Sequence, residues 1–175
     1  MSSPFKGIEN EKAQRDSEYM RAGRYLACIR LFDTGVNRKK IANVRFETVI
    51  VAVLDAQAAT AEPKGAHAIG HKATWMMSFG KDGTMPNLKK AIMNCTGVPE
   101  EEVTEAFCDQ LRSAAQPLAG MFVEFDNRVV SLEDGGLFTV VQLRRRWMKR
   151  EILAVTTEAA LKDLGLLDAL NRADE

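Results

Sequence analysis

Several features that assign a protein to a compartment are missing from this sequence. No apolar run approaches the roughly 20 residues needed to cross a bilayer, and the opening MSSPFKGIENEK lacks the apolar centre of a signal peptide. The three cysteines, Cys28, Cys95 and Cys108, have scattered spacings, which favour reduced, mostly buried thiols over a disulfide framework or a zinc site. We therefore expect a cytoplasmic protein that makes no membrane contact.

Signatures of catalysis are missing as well. The sequence contains no phosphate-binding Gly-x-x-x-x-Gly-Lys-Ser/Thr loop, no Gly-x-Ser-x-Gly elbow and no His-Glu-x-x-His zinc helix. The only two histidines, His67 and His71, have no third ligand nearby, so we predict surface histidines and neither metal nor cofactor. Glu124 and Asp126 share a face of a predicted strand, a pattern too common on barrel exteriors to indicate catalysis. We predict a protein that is not an enzyme.

Charge is balanced overall but unevenly distributed. Residues 1–90 contain 15 Lys and Arg against 9 Asp and Glu, whereas residues 91–175 contain 9 against 15. The front half therefore has a surplus of +6 and the rear half a deficit of −6. Such asymmetry permits one surface to bind a polyanion without making the whole protein basic.

Period-two alternation of side chains predicts five strands. Their ranges are Arg24–Asp33, Val44–Asp55, His71–Phe79, 120–130 and 137–147. The second half of Val44–Asp55 is apolar on both faces, which predicts a strand covered on both sides or at a barrel seam. Because such strands need partners along both edges, these segments form the predicted core sheet.

Helical spacing interrupts the strands. One helix is predicted near Pro86, with Thr84 as candidate cap and Gly97 as its left-handed stop, and a second opens at Pro99. A final stretch, 156–173, has near-helical leucine spacing and is either docked or partner-binding. We predict an α+β fold that is mainly β, a five-stranded OB-fold-like barrel with helices between strands three and four and a C-terminal helix. The predicted organisation is an N-terminal arm (1–22), an OB-fold-like domain (23–150) and a helical tail (151–175).

The chain from residue 18 to 146 resembles a family of bacteriophage proteins regarded as single-stranded-DNA-binding or replication accessory factors. The matching motifs are structural rather than catalytic, and the tail after Trp147 departs from the pattern. They are Gly23-x-Tyr25, Thr74-Trp75-Met76, Gly97-Val98, Pro117-Leu118-x-Gly120 and Gly136-x-Phe138-Thr139. The resemblance implies an OB-fold-like protein of the host-cell cytoplasm that acts on phage DNA.

Single-stranded nucleic acid is held by cations that follow its phosphates and by aromatic faces on which bases stack. Most aromatics on the first three strands suit the core, whereas Trp75 suits the core and a stacking role equally. The densest cationic patch surrounds Trp147, and its alternative is pairing with Glu100–Glu102, Asp163 or Asp168. The candidate nucleic-acid-binding residues are Arg30, Arg38, Lys39, Lys40, Arg45, Lys72, Trp75, Phe79, Arg144, Arg146 and Trp147.

Two functions from different classes fit these patterns. The first is a non-catalytic protein that binds single-stranded DNA in phage replication or recombination, forms homo-oligomers and meets replication or recombination proteins through residues 151–175. The second is a phage structural or assembly protein in which the barrel and the amphipathic tail build subunit contacts. Salt-sensitive binding of single-stranded DNA separates them, because phosphate contacts release counterions.

Overall fold

The computed structural model describes residues 18–37, 39–60 and 64–174. Within these ranges seven strands and five α-helices follow one another, with 3₁₀ turns at Gln57–Ala59 and Glu100–Glu102. The strands are β1 (Glu18–Tyr19), β2 (Gly23–Val36), β3 (Ala42–Asp55), β4 (Lys72–Ser78), β5 (Phe122–Ser131), β6 (Leu137–Val140) and β7 (Leu143–Arg146). The helices are α1 (Thr84–Thr96), α2 (Glu105–Leu111), α3 (Lys149–Leu153), α4 (Glu158–Asp163) and α5 (Leu167–Asn171).

All seven strands join one curled, half-barrel sheet in the order β1-β4-β3-β2-β5-β6, with β7 also paired to β5. The long strands β2, β3 and β4 are antiparallel neighbours, and β5 returns past α1 and α2 to lie beside β2. That arrangement is a Greek key, in which the fourth strand lies next to the first. The α+β class with helices between the third and fourth long strands is therefore confirmed.

Both faces of the sheet are covered. We call the side under α1 and α2 the insertion face and the side under α3–α5 the C-terminal face. Ile50 belongs to the core of the insertion face, whereas its neighbours Val49 and Val51 belong to the core of the C-terminal face. The prediction that this strand is covered on both sides is confirmed, because each face has a separate set of helices packed against it.

Aromatic rings fill the insertion face. Phe46 on β3 stacks on Trp75 of β4 with ring centroids 5.4 Å apart, and Trp75 meets Phe125 of β5 edge to face at 6.0 Å. A register shift between Ile29 and Leu31 places Phe32 on the same face as Ile29, where strict alternation from Ile29 would place Leu31. A β-bulge inserts one extra residue into a strand and so changes which side chains point to each face. Period-two counting therefore assigns residues beyond a bulge to the wrong face.

The C-terminal segment docks on the sheet as three short helices instead of one. Ile152, Leu161 and Leu170 are fully buried on the C-terminal face. Gly165, in the left-handed region at φ +70°, separates α4 from α5 and ends the helical periodicity that the leucines suggested. Because α3 begins at Lys149, the predicted boundary at residue 150 falls inside a helix.

Three other boundaries differ from the sequence prediction. The helix predicted to open at Pro99 is a 3₁₀ turn, and α2 begins only after Thr104, whose hydroxyl accepts a hydrogen bond from the Phe107 N–H. The predicted fifth strand is divided into β6 and β7 at residues 141–142, where the Gln142 N–H turns to the Asn127 side chain. The strand β1 was not predicted, because two residues carry no periodicity.

Candidate nucleic-acid interface

The predicted aromatic residues lie mainly in the cores. Trp147 is 7% exposed, and its indole Nε1 donates to Glu124 Oε2 at 2.9 Å. Trp75 is 8% exposed, and Phe79 is half-buried against the insertion-face core. The indole N–H of Trp147 has its hydrogen-bond partner inside the protein, so the Trp147 ring is a core side chain and not an exposed stacking surface.

Two of the arginines around Trp147 are paired with carboxylates of β5. Arg144 reaches Asp126 at 2.9 Å, and Arg145 lies 3.4 Å from Glu124. A bulge between Glu124 and Phe125 sets this register, so Arg144 and Arg146 do not share a face as strict strand alternation would place them. These arginines pair with Asp126 and Glu124, not with Glu100–Glu102, Asp163 or Asp168. The geometry nevertheless favours the interpretation of this patch as an intramolecular ion-pair cluster.

Glu124 is the centre of that cluster. It is 4% exposed, and besides the Trp147 indole it accepts from Arg24 Nε at 2.7 Å. Burial acts to raise the pKa of Glu124, but the hydrogen bonds from Arg24 and Trp147 outweigh it and hold the pKa below its ordinary value. The Arg145 guanidinium also lies 4.9 Å above the Trp147 ring and reaches Glu151 of α3 at 2.5 Å. The network therefore ties α3 to β5 and β7.

The remaining predicted cations are dispersed. Arg45 pairs with Asp33 at 3.1 Å and is half-buried on β3. Arg30 and Lys72 are exposed on different strands, and Arg146 is half-buried close enough to α1 for its charge to act on Cys95. Lys39 and Lys40 are exposed in the β2–β3 loop, and Arg38 lies outside the described residues. The structure does not gather these side chains into one patch.

A groove of about 760 Å³ opens where the half-barrel does not close. One wall is the edge formed by β1 and β4, the opposite wall is Phe138–Val141, and the N-terminal end of α1 closes one end. Of the predicted residues that the structure describes, Trp75 alone lines this groove. The volume is within the range of clefts that bind drug-sized ligands, and the groove is therefore the candidate site.

Exposed aromatics and cations line the groove. Tyr19 on β1 is 68% exposed and Phe138 on β6 is 53% exposed, so the two opposite walls each carry an available ring. The lining cations are Arg21, Lys64 and Lys81, and Arg21 is engaged by Glu18. Sequence reasoning missed this set. Tyr19 fell in the predicted arm, and the meeting of β1 with β6 depends on the closure of the whole sheet.

The β2–β3 loop adjoins one end of the groove. The Phe79 N–H donates to the Ala42 carbonyl at 3.0 Å, and a Cβ on Gly80 would lie 3.7 Å from Ile41. The next residue, Lys81, lines the groove. The loop that carries Lys39 and Lys40 therefore lies next to the segment that carries Lys81.

His67 lies beneath β1, which corrects the prediction of two surface histidines. The residue is 1% exposed, and the ring Nε2 accepts a hydrogen bond from the Arg21 backbone N–H at 3.0 Å. The backbone N–H of His67 donates to the Tyr25 hydroxyl at 3.1 Å. Burial, together with the charges of Arg21 and His71, lowers the pKa of His67 to about 4. His67 is therefore neutral near pH 7 and fastens the wall that carries Tyr19.

No protein-family model matches this chain, and the curated proteins searched contain no match either. Across residues 18–37, 39–60 and 64–174, no three His, Cys, Asp or Glu side chains are grouped to hold a metal ion. Within the same ranges, no helix is both long and apolar enough to cross a membrane.

Proposed function

We propose that this chain is a non-catalytic protein that binds single-stranded DNA in the groove between β1/β4 and β6. The observation that carries the proposal is the pair of exposed rings, Tyr19 and Phe138, on opposite walls of an open groove with a cationic rim. Bases stack on such rings whatever their identity, and cations along the rim contact phosphates. The site differs from the predicted one, since Arg144 and Arg145 of β7 are paired with carboxylates.

The fold supports the same proposal. The Greek-key order and the helices between the third and fourth long strands are those of an OB-fold, in which strands two and three and the adjoining loops bind oligonucleotides. In this chain those strands are β3 and β4, and their loops carry Lys39, Lys40 and Lys81. We propose membership of the resembling phage family, with action in replication or recombination in the host cytoplasm. A contact of residues 151–175 with replication or recombination proteins stays a prediction, and the exposed side chains of this segment available for it include Leu153 and Val155.

Fluorescence anisotropy of a labelled oligonucleotide, single-stranded and duplex, tests this proposal at two salt concentrations. Each stacked base contributes about 1–3 kcal/mol, so Tyr19→Ala or Phe138→Ala raises the single-strand Kd by roughly 5- to 150-fold. The matched control is Val155→Ala, an exposed apolar side chain beyond α3. Lys64→Ala and Lys81→Ala each reduce the salt slope by about 0.7, whereas Lys162→Ala on α4 leaves it unchanged.

Absence of single-strand binding at low salt would refute the function, and equal effects of Tyr19→Ala and Val155→Ala would refute the site. A preference for the duplex would also contradict it, because a groove between two strand edges admits one extended chain.

An assembly role is favoured by one different observation. The β5–β6 hairpin exposes four apolar side chains, Val130, Leu132, Leu137 and Phe138, by 39%, 48%, 58% and 53%. Val130 and Phe138 are cross-strand partners and so share one face of the hairpin. Exposed apolar side chains grouped in this way mark interaction sites. Light scattering after gel filtration decides between the roles: a homogeneous oligomer that Leu137→Ala dissociates, without salt-sensitive DNA binding, would establish assembly.

A further inference from the structure

Strand β4 turns backbone groups into the groove. The Phe79 N–H donates to the Ala42 carbonyl at 3.0 Å, and the Ile50 N–H donates to the His71 carbonyl at 2.9 Å. The odd-numbered residues of this segment therefore direct their backbone N–H and C=O groups toward β3. Pairs that are hydrogen-bonded and pairs that are not alternate along an antiparallel ladder. The N–H and C=O of Met76 therefore point away from β3, toward the side on which β1 pairs, and Met76 lines the groove beyond the end of β1.

The opposite wall presents the same kind of edge. The Leu132 N–H donates to the Gly136 carbonyl at 2.8 Å, and the Asp126 N–H donates to the Gln142 carbonyl at 2.9 Å. The even-numbered residues of β6 therefore direct their backbone N–H and C=O groups toward β5. Thr139 therefore directs its N–H and C=O away from β5, and it lines the groove. Among the strands of the described ranges, β6 pairs with β5 alone. Within the described ranges, two strand edges that lack a partner thus border one groove.

We propose that this groove binds an extended polypeptide segment of a partner protein, which adds a strand between β4 and β6. Strand addition to an exposed edge uses main-chain hydrogen bonds for affinity and alternate side chains for specificity. Alternate residues of the segment would meet Trp75, Met77 and Val141, all groove-lining side chains that also belong to or pack on the insertion-face core. The partner segment is therefore apolar at every second position.

Charge at the rim selects the ends of that segment. The groove is lined by two acidic residues, Glu18 and Asp82, and Glu18 is engaged by Arg21. The lining residues Lys64 and Lys81 then outnumber the remaining carboxylate. The surplus of cations favours carboxylates on the incoming segment. Since the segment and single-stranded DNA would enter the same groove, each excludes the other, and that consequence alone rests on the proposed function.

The probe is the fluorescein-labelled peptide Glu-Val-Thr-Val-Thr-Val-Glu, titrated with the full chain and followed by anisotropy without DNA. In the protein, Thr139→Pro removes the groove-facing N–H and leaves the ladder with β5 intact, because proline is tolerated at an edge position whose N–H points outward. Its matched control, Thr139→Ala, keeps the N–H and loses the side chain. A second control is the peptide with proline at its central valine, which needs no altered protein.

We expect the wild-type chain and Thr139→Ala to bind the peptide alike, with at least tenfold weaker binding by Thr139→Pro and of the proline peptide. Circular dichroism and thermal melting verify that Thr139→Pro is folded. The inference is overturned if the wild-type chain does not bind the peptide, if the proline peptide binds as well, or if folded Thr139→Pro binds as well as Thr139→Ala. If the chain binds the peptide but not single-stranded DNA, only the proposed function is refuted. If it binds single-stranded DNA but not the peptide, only this inference is refuted.

Discussion

Replacing Glu124 by glutamine tests whether the buried carboxylate holds the C-terminal face together. The substitution keeps shape and one acceptor oxygen but removes the charge that receives the Trp147 and Arg24 donors. A hydrogen bond to a charged group contributes about 1.5–3 kcal/mol and one between neutral groups about 0.5–1.5 kcal/mol, so the Trp147 bond loses about 1–2 kcal/mol.

The arginines add less. Arg24 and Arg145 have side chains 48% and 49% exposed, so water replaces part of what they lose, and each exposed pair contributes at most about 1 kcal/mol. We expect Glu124→Gln to lower the free energy of unfolding by about 2–3 kcal/mol. With a urea slope of about 1–3 kcal/mol/M, the unfolding midpoint falls by about 1 M.

Urea titration monitored by tryptophan fluorescence measures the change, since Trp75 and Trp147 are both buried. Glu102→Gln, at an exposed position of the 3₁₀ turn, is the matched control and should leave the midpoint unchanged. A change below about 0.5 kcal/mol for Glu124→Gln would refute the reasoning, because such a value is typical of ordinary surface substitutions.

The same pair of proteins gives a pH dependence whose sign is fixed. The folded state holds the pKa of Glu124 below its ordinary value of 4.5, so the carboxylate stabilises the fold fully above that value. The contribution is lost as the pH falls through the lowered pKa. The stability difference between wild type and Glu124→Gln is therefore constant from pH 6 to 8 and shrinks as the pH falls below 4.5. A difference that grows on acidification would contradict the lowered pKa.

Two further outcomes follow from packing. Burial raises the pKa of Cys28 to about 12 and that of Cys95 further, whereas Cys108 is half-buried, so Ellman's reagent should modify one thiol in the native protein and three in urea. Rapid modification of two native thiols would contradict this burial. Gly120→Ala should lower the free energy of unfolding by about 1–2 kcal/mol, since Gly120 has φ +89° and a Cβ there would lie 3.0 Å from an Arg172 guanidinium nitrogen. An unchanged urea midpoint would show that this turn relaxes.

Local periodicity predicted the centre of the fold well. The strand at residues 72–78 and the following helix were expected within two residues of their observed ends, and Gly97 stands at φ +75° as its stop signal requires. Such features depend on neighbours within a few residues, which the sequence displays directly. Burial of β3 on both faces was likewise visible, because a run such as Val49–Val53 has no polar face to leave in water.

Long-range register was not predictable in the same way. The carboxylates Glu124 and Asp126 and the arginines at 144–146 were each noticed in the sequence, but their mutual pairing depends on a bulge that no local signal marks. Trp147 is buried in the core of the C-terminal face, so the segment densest in cations does not present an exposed aromatic ring. Clusters of charge in a sequence therefore need their cross-strand partners before they indicate a ligand.

The covering of both faces determines where a ligand can reach this sheet. Aromatic rings on β2–β5 are enclosed by α1 and α2 on one side, and α3–α5 occupy the other. Access is left to the strand edges at the groove, where Tyr19 and Phe138 stand on walls that do not pair with one another. A ligand that touches both rings must be thin and extended, and both a single nucleic-acid strand and a polypeptide strand meet that requirement. Base stacking and backbone pairing are thus alternative uses of one opening, and a variant that removes the Thr139 N–H but keeps the Phe138 ring separates them.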